Sequence, residues 1–107
     1  MDPVIRVDNG LVTLFNTFTC EPANQSQLVE MLKGATQNIF AKIPGFVSSS
    51  FHVSRDGKQV ITYSQWKSVE AIAAMRQIPE MAPYLQKIAT IARFEAATTD
   101  VVWTLHG

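Results

Sequence analysis

The segment from Phe46 to Trp66 constrains this chain more than any other. Phe46 to Ser54 and Gln59 to Trp66 both read as extended, and Arg55-Asp56-Gly57-Lys58 between them carries an Asp-Gly pair. Asp-Gly supplies the positive φ that tight hairpin turns need, so the segment predicts two antiparallel strands joined by a β-turn. An isolated hairpin is at best marginally stable in water. The flanking sequence must therefore supply more strands, or helices to cover one face.

It supplies both. LVTLFNTFTC, Leu11 to Cys20, is rich in β-branched and aromatic residues and ends at Glu21-Pro22, which predicts a first strand. Val12, Leu14 and Phe18 share one parity, Leu11 and Phe15 the other, so both faces carry apolar residues. Asn24 is placed to cap a first helix, with Gln27 as its reciprocal partner. Leu28, Met31, Leu32, Ala35, Ile39, Phe40 and Ile43 recur at helical spacing until Pro44-Gly45 stops the run. After the hairpin, Ser68 can cap a second helix with Glu70 in its first turn, and Ile72 and Met75 supply its apolar stripe. Pro79 and Pro83 interrupt that helix, and Leu85, Ile88, Ile91 and Ala92 predict a further helical segment. Phe94 to Leu105 is the expected final strand, with Val101, Trp103 and Leu105 on one parity and Phe94, Ala96 and Val102 on the other.

The order is β-α-β-β-α-β, which predicts an α+β, ferredoxin-like domain: a four-stranded antiparallel sheet with helices on one face. One domain spans residues 1–107, its core about 11–105. Charged residues are only 17% of the chain and hydrophobic ones 47%, against roughly 25% charged in an average soluble domain. With apolar residues on both strand faces, that scarcity predicts a second copy packed sheet to sheet. Zero net charge excludes a basic nucleic-acid footprint. No apolar run is long enough for a membrane span, and MDPVIRVDNG lacks a signal pattern. Cys20 is the single cysteine, so neither a disulfide within the chain nor a cysteine zinc cluster is available. His52 and His106 are the only histidines, and the carboxylates show no ligand spacing, so no metal is expected. A cytoplasmic, metal-free domain is the expectation.

Chemistry must then come from polar and aromatic residues set among strand residues, because no nucleophile elbow, phosphate loop or dinucleotide fingerprint is present. Asn16 interrupts an apolar run. Either it is satisfied by strand-edge backbone or solvent, or it binds a substrate carbonyl or phenolate oxygen. Val60, Thr62, Ser64 and Trp66 share one face, so Thr62 and Trp66 can look into one cavity. Trp66 could donate its indole N–H to a ligand or stack on it; its alternative is a core or dimer anchor. Phe15, His52, Tyr63 and Tyr84 complete the candidate substrate-binding set. For His52 the alternative is a surface or partner contact, and for Tyr84 packing. Arg76 and Arg93 read as solvated or carboxylate-paired, and Met31, Met75 and Met81 as core filler.

Thr17 to Ala74 resembles the antibiotic biosynthesis monooxygenase family, especially its quinone-forming members from aromatic polyketide pathways. TFTCEPANQSQLVEMLKGAT and IPGFVSSSFHVSRDGKQVITYSQWKSVEAI carry the likeness, above all the Pro-Gly-Phe turn, the Asp-Gly hairpin and the Tyr-Ser-Gln-Trp-Lys-Ser run. The resemblance implies a dimeric α/β barrel of two ferredoxin-like units, with a pocket between sheet and helices in each. It also implies oxidation of an anthrone-like polycyclic aromatic or a quinol by molecular oxygen, without cofactor. The family's strand-one asparagine matches Asn16 and its tryptophan matches Trp66. Its strand-three asparagine falls at Thr62, which offers a single hydroxyl in place of an amide. Haem-degrading relatives add a helix-two histidine where this chain has Arg76, so haem chemistry is not expected. The alternative within the same fold is a small-aromatic-ligand binding or stress-response module without turnover.

Overall fold

The computed structural model describes residues 5–7 and 10–107; Met1 to Val4, part of the segment read above for a signal, lie outside them. Strand β1 (Val12–Cys20) leads through a 3-10 turn (Pro22–Asn24) into helix α1 (Gln25–Asn38). A second 3-10 turn (Phe40–Lys42) precedes the hairpin of β2 (Phe46–Val53) and β3 (Gln59–Trp66), followed by α2 (Val69–Arg76), α3 (Met81–Ala89) and β4 (Ala92–Thr99). The strands form one sheet in the order β2-β3-β1-β4, every pair antiparallel. This is the ferredoxin-like arrangement that the element order predicts. Among the described residues, no helix is long and apolar enough to cross a membrane.

Three local expectations need correction. Asn24 makes no side-chain cap: it is already wound into the Pro22–Asn24 turn, with its N–H bonded to Glu21 O at 2.9 Å. Pro83 does not interrupt a helix. It stands in the first turn of α3, where a missing N–H leaves no bond unmade. β4 starts at Ala92 and ends at Thr99, so Ile91 and Ala92 are not helical and Val101 to Leu105 are not strand. The reason is the ladder itself: β4 has only β1 as neighbour, and the pairing runs out at Thr13↔Thr99 as β1 begins. Ser68 does cap α2, accepting from Ala71 N at 3.1 Å.

The cross-strand rows explain the core. On the helix-covered face the β1–β3 pairs run Val12↔Trp66, Leu14↔Ser64, Asn16↔Thr62 and Phe18↔Val60. Around the first of these rows Leu14 and Trp66 pack with Ile39, Ile43, Ile72, Met75 and Met81; around the last, Phe18 and Val60 pack with Leu28, Leu32 and Ile88. Each large side chain buried here stabilises the fold by roughly 1.5–3 kcal/mol. Between the two clusters lies the polar Asn16/Thr62 row. The core divides there, and the helices bridge over a space they do not fill.

The expectation of apolar residues on both strand faces is met on the helix-free side only at its middle. Phe15, Ile61, Tyr63 and Ala97 sit at its middle, with Ser48, Ser50, Thr17, Glu95 and Thr99 around them. Phe15 and Tyr63 are cross-strand partners with ring centroids 5.6 Å apart.

Candidate active site

A cavity of about 260 Å³ occupies the gap between the clusters, near the lower end of the roughly 300–1,000 Å³ typical of small-molecule pockets. Its base is one row that crosses the whole sheet, Phe51, Thr62, Asn16 and Ala96, contributed in turn by β2, β3, β1 and β4. Leu32 and Thr36 of α1 and Ile88 of α3 form part of the roof. Leu14, Thr62, Ser64 and Ile88 are buried, whereas Arg76, Leu85, Phe94 and Ala96 are exposed. The cavity therefore opens along a rim made by the end of α2, by α3 and by β4.

The base presents two hydrogen-bonding groups in a largely apolar surrounding. Asn16 and Thr62 face one another directly across β1 and β3, which places their Cβ atoms roughly 4.5–5.5 Å apart. Neither side chain hydrogen-bonds within the described residues. The contrast with their neighbours is informative. Thr36 Oγ1 donates to Leu32 O at 2.9 Å, and Ser64 Oγ accepts from Trp66 Nε1 at 2.9 Å and donates to Leu14 O at 3.5 Å. An amide and a hydroxyl that face an apolar hollow, with no partner among the described residues, offer a ligand oxygen donors from both strands.

Trp66 lies on the same face but behind the wall. It is fully buried, its N–H is engaged by Ser64, and the rings of Phe40 and Phe46 meet it edge-on with centroids 6.0 and 5.3 Å away. In this arrangement it holds Ser64 and Phe40, both wall residues, rather than reaching the cavity itself. The other candidates are not brought to the cavity. Phe15, His52 and Tyr63 alternate onto the helix-free face. The Tyr63 hydroxyl is buried there without a hydrogen-bond partner among the described residues, and burial pushes its pKa up. Tyr84 accepts from Asn38 Nδ2 at 3.0 Å and packs beside the Trp66 cluster, outside the lining. Among the described residues, no three His, Cys, Asp or Glu side chains gather as metal ligands would.

Sequence reasoning read Arg76 only as solvated or carboxylate-paired, and gave no site role to Ser64, Phe51 or the roof residues. Ser64 and Phe51 had a usable signal in their strand parity with Thr62. The α1 and α3 residues had none, because helical spacing states which face is apolar and not whether the space beneath it is filled.

Comparison with known proteins gives the family and the fold. The family model described as antibiotic biosynthesis monooxygenase matches residues 11–87. The chain is 39% identical over 83 residues to tetracenomycin-F1 monooxygenase of Streptomyces glaucescens, covering 78% of this chain and 74% of that protein. Among solved structures, the monooxygenase from the gene ActVA-Orf6 of Streptomyces coelicolor, in complex with nanaomycin D, superposes with a TM-score of 0.79 at 26% identity, covering 90% of this chain and 91% of that one. SnoaB of Streptomyces nogalater, a cofactor-independent oxygenase, shares the fold with a TM-score of 0.74 at 23% identity, covering 89% and 96% of the two chains.

Proposed function

The chain belongs to the antibiotic biosynthesis monooxygenase family, and on that premise we propose that it oxidises an anthrone-like polycyclic aromatic or a quinol with molecular oxygen, without a cofactor. The observation that carries this reading is the open Asn16/Thr62 pair at the base of an otherwise apolar cavity. Tetracenomycin-F1 monooxygenase and the ActVA-Orf6 enzyme are monooxygenases, the latter seen with the ligand nanaomycin D.

An anthrone is its own reductant. Loss of a ring-methylene proton gives an electron-rich enolate that can pass an electron to oxygen, and the resulting pair combines at that carbon. One oxygen atom ends as the new ring carbonyl, and the other leaves as water with both methylene hydrogens. The protein's task is to lower the cost of the anion and keep water away. Asn16 Nδ2 and Thr62 Oγ1 donate to the enolate oxygen, and the Ser64–Trp66 bond fixes the adjoining wall. The domain works as a homodimer packed through the helix-free sheet faces, in the cytoplasm.

The test is anaerobic mixing with a panel of anthrones and hydroquinones, then air, with the quinone followed by absorbance. Turnover above the uncatalysed rate, lost in Asn16→Ala, is expected; a rate equal to that of buffer defeats the proposal. Threonine at position 62 favours one other reading, an aromatic-ligand binding module, because a hydroxyl offers one donor where an amide offers two. Ligand-induced melting shifts without product would support it.

A further inference from the structure

One more hydroxyl lines the cavity on the β2 side. Ser49 lies two residues before Phe51 on the same face of β2, and it is half-buried. Its cross-strand partner is Ser64, whose hydroxyl is already committed to Trp66 and Leu14. Among the described residues the Ser49 side chain makes no hydrogen bond. It stands diagonally to Thr62 across the β2–β3 pair, which places the two residues about 7–8 Å apart. Asn16 is one strand further on. We infer that Ser49 determines specificity, and that the ligand is a flat aromatic bearing a second oxygen, hydroxyl or carbonyl, on the edge that lies over β2. This deepens the oxygenase reading and rests on it for the aromatic ring system.

The Asn16/Thr62 row by itself holds one oxygen. A flat ligand tethered there stays free to pivot, because the apolar walls around it attract without direction. A second polar contact on a different strand removes that freedom, the usual task of the few polar groups in an apolar pocket. Serine suits the place because its hydroxyl both accepts from a phenol and donates to a carbonyl, and Phe51 beside it gives the ring an apolar neighbour. The competing role for Ser49 is a hydrated hydroxyl on an edge strand. That role does not depend on the ligand's own oxygen, so a change at both ends of the contact separates the two.

The experiment is equilibrium binding of 2-hydroxyanthraquinone and 2-methylanthraquinone, by calorimetry and in a buffer that keeps the phenol neutral, to the wild type, Ser49→Ala, Ser49→Thr and Ser50→Ala. Hydroxyl and methyl are close in size, and neither quinone undergoes oxygenation, so binding is read independently of turnover. The hydroxyl-to-methyl affinity ratio is expected to fall about fivefold in Ser49→Ala, the scale of one neutral hydrogen bond. Ser49→Thr keeps the hydroxyl and should keep the ratio. Ser50 faces the other way, beside Tyr63, and Ser50→Ala should leave the ratio unchanged. A ratio that Ser49→Ala does not lower, or that Ser50→Ala lowers equally, overturns the Ser49 contact and leaves the oxygenase reading intact. The expected fall without anthrone turnover in the wild type keeps the contact and overturns the oxygenase. Failure of both quinones to bind the wild type overturns the contact together with the aromatic site.

Discussion

Trp66 and Ser64 show how much at the residue scale depends on a single side-chain bond. Strand parity puts Thr62, Ser64 and Trp66 on one face, and the β1–β3 register adds Asn16 to it. It cannot say that the indole turns onto Ser64, two residues back on its own strand, because that is a rotamer choice made by Phe40 and Phe46 packed around it. Removing the acceptor exposes the consequence. In Ser64→Ala the buried Nε1–H loses its partner, a loss of about 1–3 kcal/mol that chemical denaturation should detect. Asn16→Ala is different in kind. The amide faces the cavity and supports no other group, so stability should change little while kcat falls about 10²-fold, the usual cost of losing one preorganised donor to a developing anion. A fall in stability with unchanged kcat would show that Asn16 is only structural. Strand parity already set Phe15 opposite Leu14 and Tyr63 opposite Thr62, so these two were chosen by residue type against their own alternation; the sheet sends both, with His52, away from the cavity.

The hairpin is the element that sequence described best, because its turn chemistry is local. Asp56 Oδ1 accepts from Lys58 N at 3.0 Å and from Ser54 Oγ at 2.7 Å, and Gly57 takes φ +81°. The Lys58 N–H first, then the Ser54 hydroxyl, hold the Asp56 carboxyl below its ordinary 3.8. Its proton therefore binds more weakly in the folded than in the unfolded chain. The stabilisation is complete above the ordinary value and disappears as pH falls through the lower folded one. Asp56→Asn should be less stable than wild type at neutral pH, and the two should converge in acid, as melting curves at several pH values would show. Gly57 is fixed twice over. A Cβ there would stand 2.9 Å from Pro22 Cβ as well as in the left-handed region, so Gly57→Ala should cost about 1–3 kcal/mol. Elements whose limits are set at a distance were harder to read. β4 ends where β1 stops offering partners, and no composition within Phe94 to Leu105 records that. The α1 start likewise depends on the preceding 3-10 turn and not on the capping pair of Asn24 and Gln27.

At the scale of the whole molecule, a low charge content has two different outlets. One is the cavity, which needs apolar walls on the helix-covered face. The other is the helix-free face, whose centre of Phe15, Ile61, Tyr63 and Ala97 inside a ring of Ser, Thr, Arg93 and Glu95 has the apolar middle and polar rim of a protein interface. Phe15 is the exposed large side chain at that centre, 39% accessible in the single chain. Because it points away from the cavity, a charge placed there should separate assembly from ligand binding. Light scattering should give the wild type twice the 11.9 kDa chain mass, and Phe15→Glu the mass of one chain, since a carboxylate buried against its own symmetry copy lacks a cation partner. Cavity ligands should still bind the monomer, as Asn16 and Thr62 look the other way. A wild type that runs as a single chain at micromolar concentration would end the dimer reading. A Phe15→Glu variant that stays dimeric would move the interface to the other apolar surface in view, the β4 edge with Phe94 and the exposed Val102, Trp103 and Leu105 that follow it. That surface adjoins the cavity rim through Phe94. A dimer formed there would close the cavity with the partner subunit, and ligand affinity would then rise with protein concentration, which a sheet-face dimer does not require.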